Sequence, residues 1–379
     1  MSRIVKGADG VKRGIMNGYE WILKKEIVDN LTDNDYHYHC SLIDNEYHYR
    51  RHLAAALFWK KEALLMIVLF VLLVCLSIAS LFIGVSDISL LHVFSMTPEQ
   101  QHVFWVSRVP RLASIIIAGV GMSICGLIMQ QLTRNKFVSP TTAGTLDSAR
   151  LGIVVAMIVF ASATPLQKVA VAFVFALAGS IIFMKILDKI KFTNTIFIPL
   201  VGLMFGNVVG SITTFFAYRF DLIQNMSSWL QGNFALMMRG RYEMLYISVP
   251  LLIIAYVYAN RFTIAGMGED FSTNLGLKYK QVLYVGLIIV SAITSVVVLT
   301  VGMIPFLGLI IPNIVTMYRG DHLRKNLPHT ALLGAVFVLG CDILGRVIIY
   351  PYEVPIGLTV GVIGSGVFLY LLLRRRKHA

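Results

Sequence analysis

After Lys61 the chain becomes a succession of ten apolar stretches joined by short polar connections, and no other feature limits its possible folds so severely. Crossing some 30 Å of hydrocarbon at 1.5 Å per residue takes about 20 mainly apolar residues. That ruler predicts spans near 63–85, 111–132, 140–162, 166–187, 195–216, 244–260, 281–301, 303–318, 329–350 and 355–373, the sixth and eighth being short. In hydrocarbon every backbone polar group must be bonded internally, which leaves helices or closed barrels. Runs this long and continuously apolar are not barrel strands, which alternate in polarity with a period of two. The expected fold class is an all-α polytopic membrane protein with about ten transmembrane helices. An apolar fraction of 57% and a charged fraction of 14% agree, since soluble domains carry roughly 25% charged residues.

Basic residues in short loops are retained on the cytoplasmic side. With both termini inside, the inner connections after residue 62 hold fifteen Lys and Arg, among them Arg134, Lys136, Arg261, Lys278 and Arg374. The outer ones hold seven: Arg108, Arg111, Lys168, Arg219, Arg239, Arg241 and Arg346. This bias predicts a carboxyl terminus on the cytoplasmic side, and it accounts for most of the formal charge of +13. The charge therefore implies no nucleic-acid partner. Cys40, Cys75, Cys125 and Cys341 have no paired spacing, so neither a disulfide framework nor a Cys-based zinc motif is expected. No secretory signal peptide is read in the polar opening.

Residues 1–62 are a segment of a different character, with ten basic and nine acidic residues. Within them His37, His39 and Cys40 stand close together, and His48 and His52 follow. His-x-His-Cys offers ligands suited to zinc or copper. A loosely ordered cytoplasmic extension with incidental histidines, or a start codon assigned too far upstream, is the plainer alternative. The expected division is thus 1–62 as a polar extension and 63–379 as the membrane domain.

Three segments of the membrane part are informative together. Arg108-Val109-Pro110-Arg111 opens the second span, which continues through Gly119 and Gly121 to Gln130-Gln131-Leu132-Thr133-Arg134-Asn135. Gly266-Met267-Gly268-Glu269-Asp270 and Leu275-Gly276-Leu277 lie between the sixth and seventh spans. Val301-Gly302-Met303-Ile304-Pro305-Phe306-Leu307-Gly308 leads to Pro312-Asn313 and Gly320-Asp321-His322. In that order they resemble the FecCD family, the permease subunits of ABC importers for iron-siderophore complexes, haem and cobalamin, over roughly residues 63–379. Asn313 and Thr316 depart from its commonest pattern, where many members carry His and Arg. Pro312-Asn313 with Gly320-Asp321-His322 looks more like the branch importing catecholate-type siderophores.

The resemblance implies a type II ABC importer permease that works as a dimer, with an identical or homologous second permease. Two ATPases would cap it inside, and a periplasmic or lipoprotein substrate-binding protein outside, in the bacterial cytoplasmic membrane. The residues agree where they can be tested. No Gly-x-x-x-x-Gly-Lys-Ser/Thr occurs, so the chain has no P-loop to cradle phosphates and no catalytic site is expected on it. ATP would be used by a partner subunit, and no cofactor is expected on this one. Gly268 can open a short helix with Glu269 and Asp270 in its first turn, where carboxylates complement the helix dipole. By resemblance this loop, with Leu275 and Gly276, couples to the ATPase; an ordinary solvated turn is the alternative. Arg108, Arg111 and Arg346 would receive carboxylates of the binding protein, or else anchor helix ends at the headgroups. Gly202, Gly206 and Gly210 in the fifth span and Gly357 and Gly361 in the tenth would line the pathway beside Asn207, or serve close helix packing.

Two other classes fit less well. An ion-coupled secondary transporter usually buries carboxylates at mid-membrane, and Asp147 and Asp342 are expected toward span ends. A membrane haem protein needs axial ligands such as histidine inside its helices, and no histidine is expected at mid-span.

Overall fold

The computed structural model describes residues 62–84, 97–160, 162, 164–190, 197–224 and 231–375. Residues 66–379 belong to one compact unit. Among the described residues there are helices and connections but no strand. In chain order the α-helices are α1 (Glu62–Phe82), α2 (Pro98–Val103), α3 (Val109–Leu132), α4 (Thr145–Val159), α5 (Pro165–Ile190) and α6 (Phe197–Arg219). After a 3₁₀ turn at Tyr242–Ile247 come α7 (Ser248–Ala265), α8 (Glu269–Asn274), α9 (Tyr279–Thr300), α10 (Leu307–Arg319), α11 (Leu323–Val347) and α12 (Ile356–Arg375). A π-turn, Phe104–Arg108, carries α2 directly into α3.

All but the six-residue α2 and α8 coincide with a predicted span. Seven stretches among the described residues are long and apolar enough to cross a membrane. The other three predicted spans are α4 and α10, of 15 and 13 residues, and α12, whose described apolar part runs Ile356–Leu371. The third span therefore starts later than expected, at Thr145 and not at 140, and the eighth at Leu307 and not at 303. Proline explains much of this. Pro140 and Pro305 donate no backbone hydrogen bond and bias the residue before them away from helical geometry. Gly144 at φ +71°, Gly302 at φ +96° and Phe306 at φ +60° then turn the chain in the left-handed region.

The bundle is built around α3. In its apolar window 72% of residues are buried, against 11% for α1 and 28% for α6, so α3 is interior while those two are peripheral. Lipid tails are as apolar as leucine, so helix association in a membrane rests on close packing of small residues. Two crossings depend on it. A Cβ added at Gly119 would lie 3.0 Å from the carbonyl oxygen of Gly334 on α11, and one at Gly126 would overlap the backbone of Gly308 on α10. The bundle has two ends: one carries Arg111, Asp342 and Glu353, the other, called the basic end, carries Lys136, Arg261 and Lys278.

Candidate functional site

At the basic end the chain leaves α7, turns through Gly266, Met267 and Gly268, and forms α8 with Gly268 at its N-cap. Gly268 has φ +113°, a conformation L side chains rarely adopt, which is why glycine stands there. As expected, Glu269 and Asp270 occupy the first turn of α8 and are exposed. The loop is closed from within by Ser272, fully buried, whose hydroxyl donates to the carbonyls of Ile264 at 2.8 Å and Gly268 at 2.5 Å. Leu275 leads to Gly276 at φ +78°, and the Leu277 amide donates back to Ser272 at 2.9 Å. Sequence reasoning missed the outward face of this loop. Met267, Phe271 and Leu275 recur every four residues and are each at least half exposed, so α8 and the residues flanking it present three large apolar side chains beside two carboxylates.

The loop touches its neighbours at defined places. A Cβ at Gly266 would collide with the Gln131 side chain, and one at Gly268 would lie 3.1 Å from Nη1 of Arg134, both at the end of α3. The amide of Leu323, at the start of α11, donates to Thr263 Oγ1 on α7 at 3.2 Å. Nearby, Asn313 on α10 donates from Nδ2 to the carbonyls of Lys136 and Leu309, both at 2.7 Å. Lys136 reaches Asp321 at 2.7 Å. Asn313 thus ties the turn after α3 to α10. A cleft of about 40 Å³ beside it is lined by Phe137, Thr316 and Phe368 among others.

The opposite end is organised differently. Asp342 lies between Arg111, 2.8 Å away, and Arg346, one turn along α11. Arg111 also holds Glu353 at 2.8 Å. Arg346 donates to the carbonyls of Ser80 at 2.8 Å and Ile83 at 2.9 Å and to Ser80 Oγ at 2.5 Å, while Arg108 donates to the carbonyl of Leu81 at 2.8 Å. The carbonyls of Ser80 and Leu81 belong to the last turn of α1 and that of Ile83 lies just beyond it, where orphan acceptors need donors. Arg108 and Arg346 are only 8% and 5% exposed. The three arginines expected to face a docking protein are therefore brought together, but two of them are buried as caps of α1, and only the Arg111–Glu353 pair borders solvent. Arg239 and Arg241, in the turn before the 3₁₀ segment, are exposed, and among the described residues no carboxylate pairs with either.

The glycine positions divide. Gly202 abuts the carbonyl of Thr142, a Cβ at Gly206 would lie 2.7 Å from Asp147 Oδ2, and Gly357 abuts the carbonyl of Gln231. These three let the turn before α4, the Asp147 side chain and the Gln231 backbone approach α6 and α12 closely, so they serve packing within the chain. Gly210 has open space beside it, a Cβ at Gly361 would make only an ordinary contact with Pro305, and Asn207 is exposed. Asp147 lies toward a span end as expected, in the first turn of α4; it sits beside Gly206, the tenth residue of the 23-residue α6, and is paired with Arg150 at 3.3 Å. As expected, His329 is not at mid-span: it is the seventh residue of the 25-residue α11, 3% exposed and 2.8 Å from Arg319 through Nε2. Among the described residues no cluster of His, Cys, Asp and Glu could hold a metal. His37, His39 and Cys40 lie outside the described residues.

With this geometry in place, the model of the FecCD transport family matches residues 69–374, four-fifths of the chain. The chain belongs to the FecCD transport family. The petrobactin import system permease protein YclN of Bacillus subtilis (strain 168) is 68% identical over 311 residues, covering 82% of this FecCD-family chain and 98% of that protein. The ferric-anguibactin transport system permease protein FatD of Vibrio anguillarum is 41% identical, covering 79% and 95%. The petrobactin import system permease protein FatD of Bacillus anthracis is 38% identical, covering 84% and 93%. A solved chain described as a metal-chelate type ABC transporter in an inward-facing conformation superimposes with a TM-score of 0.70 at 23% identity, over 82% of this chain and 98% of that one. The fold is thus that of an ABC transporter permease.

Proposed function

We propose that this chain is the transmembrane permease of an ATP-driven importer that carries a ferric siderophore of catecholate type across the bacterial cytoplasmic membrane, both termini being cytoplasmic. The observation that carries this reading is the 68% identity, over nearly its whole length, to a permease named for petrobactin, a catecholate-type siderophore. ATP is bound by a partner ATPase, since the chain has no P-loop. The ATPase grips α8, where Met267, Phe271 and Leu275 fill an apolar groove and Glu269 and Asp270 fix its orientation. Closure of the ATPase pair moves α8. Ser272 passes that movement to the end of α7, and the packing of Gly266 and Gly268 on Gln131 and Arg134 passes it to α3.

A second permease, identical or homologous, completes the pathway against α6 and α12, which leave Met204, Asn207, Val208, Leu358 and Val362 uncovered. The substrate-binding protein docks at the Arg111 end. Its carboxylates meet Arg239 and Arg241 and compete with Glu353 for Arg111, while Arg108 and Arg346 hold α1 in place. Uptake of radiolabelled ferric petrobactin by cells lacking the transporter, with and without this chain restored, tests the reading. Restoration of ferric petrobactin uptake without any change in cobalamin uptake is expected. Cobalamin uptake alone would reject the substrate and keep the family, whereas uptake driven by an ion gradient would reject the ATP-driven mechanism.

A further inference from the structure

Between the basic ends of α7 and α9 runs an open groove of about 770 Å³. Its polar lining is Tyr258 and Arg261 from the last two turns of α7, Lys278 from the turn before α9, and Gln281 and Tyr284 from the first two turns of α9. No acidic residue lines it. Arg261 rests over the Tyr258 ring at 4.7 Å, and among the described residues neither Arg261 nor Lys278 has a carboxylate partner. Two unneutralised cations beside two phenol rings make a site for a phosphodiester, with Gln281 adding a neutral donor.

The placement decides the source of that phosphate. Both helices belong to membrane-crossing stretches, and the groove lies at their ends, where headgroups meet water and where tyrosines commonly sit. Further into the bilayer the same faces turn aliphatic. Ile254 and Val257 on α7 and Ile288 on α9 lie one to two turns from Arg261 and Gln281 and are exposed. Cations at the rim, phenol rings beside them and an uncovered aliphatic track below form the profile of one phospholipid with its headgroup in the groove and its acyl chain on the track. We propose that this groove binds an anionic phospholipid. The site needs only a membrane around the helices, and it stands whether or not the adjoining loop meets an ATPase.

The test is native mass spectrometry of the purified full chain in detergent, with phosphatidylglycerol and phosphatidylcholine added in equal amounts. Preferential retention of phosphatidylglycerol is expected, falling about twenty-five-fold in Arg261→Gln/Lys278→Gln, from two basic residues at roughly a factor of five each. Arg261→Lys/Lys278→Arg should restore it, and Lys185→Gln/Lys189→Gln, which neutralises exposed lysines on α5 at the same end, should leave it unchanged. Equal retention of both lipids, undiminished retention in the double Gln variant, or an equal loss in the α5 variant would overturn the site. So would displacement of the lipid by millimolar inorganic phosphate, which would assign the groove to a soluble anion. Should the double variant fail to fold, the two single Gln variants, each expected to lose about fivefold, decide the matter.

Discussion

The two ends of the bundle use their charges in opposite ways. At the Arg111 end the charges face one another: Asp342 is shared by Arg111 and Arg346, Glu353 is held by Arg111, and Arg108 and Arg346 donate to carbonyls at the end of α1. At the basic end Glu269 and Asp270 face outward beside Met267, Phe271 and Leu275, and the loop is held by neutral groups, the Ser272 hydroxyl and backbone amides. Buried ions need partners because desolvation costs several kcal/mol per ion, so an end built this way is rigid. Exposed charges beside exposed apolar groups contribute little to stability, which leaves them available to a partner. One end is fastened and the other is presented, and substitutions at the two should separate stability from coupling.

The largest effect is expected where the fastened end loses its centre. Asp342→Ala leaves two arginines without their shared carboxylate, and breaking a buried pair in this way costs about 3–5 kcal/mol. Thermal unfolding of the purified chain in detergent should show a clear fall in midpoint, and an unchanged midpoint would sink the idea that Asp342 organises this end. A smaller, local effect is expected from Ser272→Ala. It removes the donor to two carbonyls of the presented loop, a loss of about 1–2 kcal/mol confined to that loop. Hydrogen exchange should speed up over 266–278 with the rest of the bundle unaffected; acceleration spread over α3 and α11 would mean the loop is not a separate unit.

Most of the architecture was legible before any coordinates, because a membrane span declares itself through continuous apolar length. The late starts of α4 and α10 were not. Val138 to Ala143 and Val301 to Phe306 are apolar or small enough to count toward a span, and hydropathy does not register which amides have lost their helical acceptors. Pro140 with Gly144, and Gly302 with Pro305, were the available signals. That late start is also why Asp147 reaches the middle of α6. At the sites, Gly268 with Glu269 and Asp270 was readable because capping is local in sequence. The partners of the arginines were not readable, for the opposite reason. Arg111 meets Asp342 and Glu353 across more than two hundred residues, and only Asp342–Arg346, four apart, could be read as a pair along the chain.

The rim of the fastened end sharpens the comparison. Glu353 is 28% exposed against 4% for Asp342, so Glu353→Gln should cost less than about 1 kcal/mol of unfolding free energy. If a docking protein competes for Arg111, the same substitution should strengthen its capture, and the gain should shrink as salt rises. A stability loss as large as that of Asp342→Ala would instead place Glu353 in the buried network.

The smallest stability change, and the sharpest functional one, belongs to the presented end. Met267→Ser/Phe271→Ser/Leu275→Ser removes apolar groups that are already uncovered, so the unfolding midpoint should hold within about 0.5 kcal/mol. These side chains nevertheless are the large exposed apolar groups on and beside α8, and a partner that grips α8 must bury them. Membrane insertion should be normal while substrate-stimulated ATP hydrolysis by the assembled transporter is lost. Glu269→Ala/Asp270→Ala, which spares those apolar groups, should weaken assembly mainly at low salt, since rim charges guide association more than they hold it. If the Ser variant couples normally, α8 is a solvated turn and the drive must enter the bundle elsewhere, with the contacts of Lys136, Asn313 and Asp321 as the next place to look.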